Sequence, residues 1–158
     1  MRSILAVDPG VGGTGWALFT DNPWPEAVGC CVPISSRAPW VDRQASVVQK
    51  LSLSVNVSAT GTLVIECPEL QMGERGWASA RRGDLVKLSL ITGAIVHVFR
   101  SWDIKLVTPR EWKGQLPKRI TMQMVRDALP TRVVNELLLE RCPDHVWDAV
   151  AIGLWFLE

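Results

Sequence analysis

The chain opens on a short unbroken apolar run, Ile4 to Val7, closed by Asp8 and then by Pro9 and Gly10. A run without polar alternation predicts a strand covered on both faces. Thr14 to Thr20 predicts a second strand returning as a hairpin, and Ala27 to Pro33 a third, after the breaker-rich stretch 21–25. From Pro39 to about Val57 the apolar residues Val41, Ala45, Val48, Leu51 and Val55 follow a helical period, and Gly61 punctuates its end. Thr62 to Ile65 then repeats the opening pattern, an apolar strand closed by a carboxylate, Glu66. Residues 71–82 are polar and glycine-containing and predict a loop. A helix is expected over Gly83 to Arg100, with Leu85, Leu88, Ile91 and Ile95 on one side, then a fifth strand over Ile104 to Val107. Pro109 begins a basic connector containing Trp112 and Lys113. Helices follow over Ile120 to Leu129, Arg132 to Arg141 and Pro143 to about Leu157.

Three strands, helix, strand, helix, strand and then helices predict an α/β domain with a mixed five-stranded sheet. An antiparallel meander is followed by parallel βαβ crossovers, with helices covering the sheet. In that order the two carboxylate-ended strands can lie side by side in the centre, so that Asp8 and Glu66 meet at one sheet edge. With 158 residues and 47% hydrophobic content, one domain spanning residues 1–158 is expected. No apolar stretch approaches the roughly 20 residues that span a bilayer, which predicts a protein without membrane attachment, in the cytoplasm, or in the host cytoplasm if phage-encoded. Cys30, Cys31, Cys67 and Cys142 have no metal-ligand spacing and read as reduced, mostly buried thiols.

Net charge is only +1, but its distribution changes the picture. Lys105 to Arg126 carries six basic residues against Glu111 alone, and Gln71 to Leu90 carries Arg75, Arg81, Arg82 and Lys87 against Glu74 and Asp84. The rest of the chain is net acidic. Two basic segments beside a carboxylate site suit a polyanion, although a charge run is commonly no more than a solvated face.

The last helix supplies further candidate chemistry. His145 and Asp148 are spaced i,i+3, and Asp144 and Asp148 i,i+4, so each pair can share a helical face. Ala149, Ile152 and Phe156 predict that this helix packs on the sheet, where an embedded charge needs a partner. Asp144 could equally be a helix-start residue and His145 an ordinary exposed one; His97, in an apolar stretch, reads as a core or interface histidine. Carboxylates and an imidazole from two strand ends and a helix suit two divalent ions, Mg²⁺ or Mn²⁺, which can clamp the attacking and leaving oxygens of a phosphodiester. No small-molecule cofactor motif is present: there is no P-loop lysine and no GxGxxG opening a helix.

Asp8-Pro9-Gly10 with Gly15, Val64-Ile65-Glu66, Leu85-Val86-Lys87-Leu88 and His145-Val146-Trp147-Asp148-Ala149-Val150-Ala151-Ile152 together resemble the RuvC family of Holliday junction resolvases, over nearly the whole chain. The connector Thr108-Pro109-Arg110-Glu111-Trp112-Lys113 looks more like bacteriophage-type relatives. The resemblance implies an RNase H-like fold and a homodimer that nicks four-way junction DNA symmetrically, leaving 5′-phosphate and 3′-hydroxyl ends. It implies Asp8, Glu66, His145 and Asp148 as catalytic metal ligands for two ions, with Asp144 the rival of His145. Lys113, Lys118 and Arg119 resemble the family's backbone-contacting segment, and Arg75, Arg81, Arg82 and Lys87 join them as DNA-facing candidates. Trp77, or else Leu70, is the candidate wedge at the junction centre. A YqgF-type nuclease acting on RNA and a non-catalytic junction binder are the alternatives; an actin-like ATPase needs two such lobes. Trp16, Trp102 and Trp155 read as core or interface residues, and Met122 and Met124 as helix packing.

Overall fold

The structure, a computed structural model, describes residues 3–55, 60–69 and 83–158. Strands β1 (Ser3–Asp8), β2 (Thr14–Phe19) and β3 (Ala27–Cys31) lead into helix α1 (Trp40–Ser54) and strand β4 (Gly61–Glu66). Helix α2 (Asp84–Val98), strand β5 (Asp103–Val107) and helices α3 (Pro109–Trp112), α4 (Lys118–Ala128), α5 (Thr131–Glu136) and α6 (Asp144–Leu157) complete the order, with a 3₁₀ turn at Leu139–Arg141 before α6. The sheet runs β3-β2-β1-β4-β5. β1 is antiparallel to β2 and β2 to β3, whereas β1 and β4, and β4 and β5, are parallel. This is the expected RNase H-like mixed sheet, with the two carboxylate-ended strands adjacent at its centre.

Strand periodicity sorts the core into two layers. Leu5, Val7, Leu63 and Ile65 point to one face, where they pack with Val47 and Leu51 of α1 and Ile91 and Ile95 of α2. Ala6 and Val64 point to the other, against Val146, Ala149, Val150 and Ile152 of α6. Asp8 shares the parity of Ala6, and Glu66 that of Val64. Both carboxylates therefore emerge on the α6 face.

Helix α6 lies close to the sheet because small residues let it. A Cβ on Gly15 would sit 2.0 Å from the His145 carbonyl oxygen, and one on Gly153 would sit 2.1 Å from the Phe19 ring. Gly15→Ala should push the first turn of α6 off β2, costing about 3 kcal/mol and lowering the melting temperature by roughly 5–10 °C. A thermal melt matching wild type would remove this close approach as the reason for the glycine.

Several sequence expectations are corrected. The buried stripe of α1 runs through Val47 and Leu51 to Val55, with Ser46 beside it, whereas Val41 is 70% exposed. Leu51 and Val55 of the expected stripe are buried, whereas Val41, Ala45 and Val48 border the groove between α1 and α2. The helix expected over 132–141 breaks in two. Leu138 adopts φ +51°, which turns the chain so that Leu139 is fully buried while Leu138 faces solvent. Three successive leucines cannot all face one core, and the left-handed residue resolves the conflict. Of the cysteines only Cys31 is buried, and Cys30, Cys67 and Cys142 are half-buried free thiols. Trp16 and Trp102 are core residues; Trp155, 36% exposed, and His97 are not in the core of the single chain, and Met124 is exposed. Among the described residues no helix is long and apolar enough to cross a membrane.

Candidate active site

Asp8, Glu66, His145 and Asp148 line one open cleft, together with Pro9, Gly10, Val11, Asp84 and Leu88. Each acid arrives for a separate reason. Asp8 ends β1 and is 4% exposed, because β2 pairs on one side, through Gly15, and α6 covers its face. Glu66 ends β4, opposite Val107 of β5. Asp148, 6% exposed, sits one turn into α6, directly before the buried residues Ala149 to Ile152.

Every acid is turned toward its own partner. His145 Nδ1 and Asp8 Oδ2 are hydrogen-bonded at 2.6 Å. The Trp112 indole N–H donates to Glu66 Oε2 at 2.7 Å, with Lys113 Nζ 3.9 Å from the same oxygen. Lys118 Nζ lies 3.1 Å from Asp148 Oδ2 and 3.3 Å from Asp144 Oδ2. His145 thus enters the site, while Asp144, with 64% of its side chain exposed, pairs with Lys118 at the rim.

Charge crowding dominates the electrostatics. Burial pushes the Glu66 carboxyl up to about 7, and the nearby Asp8 charge adds to the effect against Lys113 and the Trp112 N–H. Burial also raises Asp8, which the hydrogen bond and charge of His145 only partly offset. The hydrogen bond to Asp8 raises His145 in turn, against its own burial. Burial works against the Lys118 ammonium, yet the charges of Asp148 and Asp144 hold its pKa above the ordinary lysine range.

The donor set fits hard divalent cations: three carboxylates and one imidazole from two strands and a helix. Asp148 Oδ1 is a buried oxygen with no hydrogen-bond partner, a cost that a cation would remove. Among the described residues, however, no three His, Cys, Asp or Glu side chains converge closely enough to hold a metal as they stand. The carboxylates are instead turned onto Lys118, Lys113, Trp112 and His145. Gly10 leaves room for the imidazole, since a Cβ there would lie 2.7 Å from its ring atoms.

Of the DNA-facing candidates, Lys113 and Lys118 stand beside the acids, and Arg119 is exposed next to Lys118 at the start of α4. Lys87 does not line the cleft. It pairs with Asp84 at 3.5 Å and lies 5.9 Å from the centre of the Trp40 ring, drawn to the α1 side. Arg75, Trp77, Arg81, Arg82 and Leu70 lie outside the described residues.

Two features escaped sequence reasoning. Trp112 was placed only in a connector, but it is the closest hydrogen-bond partner of Glu66, 46 positions away. No local pattern announces so distant a pairing. The helix that delivers it was legible: Thr108 and Glu111 form a reciprocal capping box, with Pro109 in the first turn. Asp84 is a further carboxylate lining the cleft.

No protein-family model and no curated protein matches the sequence. Solved structures do. RuvC of Thermus thermophilus in complex with a Holliday junction substrate superposes with a TM-score of 0.63 at 18% identity, covering 97% of this chain and 91% of that one. A second Thermus thermophilus RuvC structure gives 0.55 at 18% identity, covering 97% and 92%. The yeast mitochondrial Holliday junction resolvase Ydc2 gives 0.58 at 13% identity, covering 96% and 77%. At these identities the likeness is one of architecture, and it spans the sheet and its helices: this chain has the RNase H-like fold in the form found in RuvC.

Proposed function

We propose that the protein is a four-way-junction nuclease that hydrolyses phosphodiesters with two divalent ions, Mg²⁺ or Mn²⁺, held by Asp8, Glu66, His145 and Asp148. The observation that carries this reading is the meeting of Asp8 and Glu66, from adjacent parallel strands, with Asp148 and His145 of α6 in one cleft rimmed by Lys113 and Lys118. The fold's solved examples include a RuvC bound to junction DNA, which makes four-way DNA the favoured polyanion.

The ions would activate water and stabilise the departing 3′ oxygen, leaving a 5′-phosphate. Asp8, Glu66 and Asp148 supply the anionic oxygens that hold them. With Nδ1 hydrogen-bonded to Asp8, His145 would offer Nε2 to a cation. Lys113, Lys118 and Arg119 draw the phosphate backbone to the cleft. A homodimer gives two such clefts for paired, symmetric nicks. The groove between α1 and α2, with Val41 and Leu90 70% and 52% exposed, is an apolar face suited to the second copy.

The test is cleavage of an end-labelled immobile four-way junction beside its linear duplex and an RNA-containing duplex. Paired nicks in the junction alone are expected, faster with Mn²⁺ than with Mg²⁺ because imidazole favours the transition metal. Equal cutting of linear or RNA-containing duplex would move the function to a broader nuclease. Binding without cutting would make the protein a junction binder. Equal rates with the two metals would remove His145 as a ligand.

A further inference from the structure

The arrangement of private partners around the acids has one member unlike the others. Glu66 is held chiefly by a neutral indole N–H, and Asp8 by an imidazole. Of these three acids, among the described residues, it is Asp148 that has a lysine ammonium within hydrogen-bond distance, at 3.1 Å. That ammonium holds one carboxylate oxygen of Asp148, while the other is buried without a partner. Asp148 is 8% exposed at its side chain and Lys118 44%, so the acid is fixed and the lysine is the group that can leave.

We propose that Lys118 is the resident counter-ion of Asp148, and that a divalent cation entering the cleft evicts it, so that cation binding and release of the Lys118 ammonium are one event. The inference rests on the metal-site reading above. A dication and an ammonium on one carboxylate repel each other, and the dication is the stronger ligand for the anionic oxygen. Without either, Asp148 would be a buried uncompensated charge, which is the costliest of the three states. The released ammonium has a second seat prepared. Asp144 lies one turn earlier on α6, 3.3 Å from Lys118 Nζ and well exposed, and it keeps the charge at the mouth of the cleft. The lysine thus neutralises the empty cluster and is delivered to the rim when the cluster is filled.

The first experiment uses the wild-type protein without DNA. Brief acetylation with an amine-reactive ester, read by peptide mass spectrometry, should modify Lys118 roughly three- to tenfold faster with saturating Mn²⁺ than without, corresponding to loss of a half-exposed ion pair. Lys105, paired with Asp103 at 3.3 Å on the edge strand, is the internal reference and should not change. The second is calorimetric titration of Mn²⁺. Lys118→Met should bind Mn²⁺ roughly three- to tenfold more tightly than wild type, whereas Lys118→Arg, which keeps the charge, should not gain. An unchanged Lys118 acetylation rate at Mn²⁺ saturation, or equal or weaker Mn²⁺ binding by Lys118→Met, overturns the eviction while leaving the metal site standing. No Mn²⁺ binding by wild type overturns both. Should Lys118→Met fail to fold, the acetylation of wild type decides.

Discussion

Asp148→Asn should lower junction cleavage on the order of 10³-fold, and the same variant should melt at or above the wild-type temperature in the absence of metal. The two halves of this outcome have one cause. Asp148 brings a nearly buried charge to a cleft that already holds Asp8 and Glu66, with one oxygen unpartnered and the other satisfied by a half-exposed lysine. As the proposed ligand it would be needed; as a folding contribution it is a burden. An asparagine keeps the volume and the helix while removing the charge, and Lys118 retains Asp144. Gel-resolved cleavage and a differential scanning melt check the two halves separately. Residual cutting within tenfold of wild type would take Asp148 out of the catalytic set. A melting temperature several degrees lower with activity lost would make its role structural.

The second large effect is a stability that declines with pH in the metal-free protein. Burial holds the Glu66 carboxyl near 7, above the 4.5 of an unfolded chain, so the folded state keeps a proton that the unfolded state releases. The stabilisation is fully present below pH 4.5 and is lost as pH rises through about 7. Its size is on the order of 3 kcal/mol. His145 acts in the same direction, because its raised pKa makes the imidazolium a stabilising form that disappears as pH climbs. Urea melts from pH 5 to 8 should show the decline in wild type and a much flatter profile in Glu66→Gln. Adding Mn²⁺ at about one hundred times its dissociation constant at pH 7.5 should restore about 3 kcal/mol. A flat wild-type profile, or one rising with pH, would show that Glu66 does not carry its proton into the neutral range.

The central pair of strands was legible because two apolar runs, Ile4 to Val7 and Thr62 to Ile65, end alike in a carboxylate, and because strand order follows from where helices interrupt strands. The α6 site was legible from spacing, since i,i+3 and i,i+4 positions share a face wherever the helix docks. Spacing alone could not separate Asp144 from His145; in the fold His145 hydrogen-bonds Asp8 while Asp144 stays at the rim with Lys118. Long-range partners were not legible. Trp112 and Lys118 reach Glu66 and Asp148 from elements that touch only in the folded chain, and a basic connector reads the same whether its lysines face DNA or their own carboxylates. The left-handed Leu138 also escaped, because Leu carries no turn signal and adopts that backbone only under the demand of Leu139 for the core.

The parity that places Asp8 and Glu66 on one face has a consequence for how this gene can change. Within β4 the chain tolerates length variation only in steps of two. One residue gained or lost between Gly61 and Glu66 would carry the carboxylate through the sheet to the α1 and α2 side, exchange Val64 for Ile65 against α6, and strand a charge among Leu51, Ile91 and Ile95. Descendants of this sequence can therefore exchange one apolar residue for another along the strand, but their alignments through it should be free of single-residue gaps.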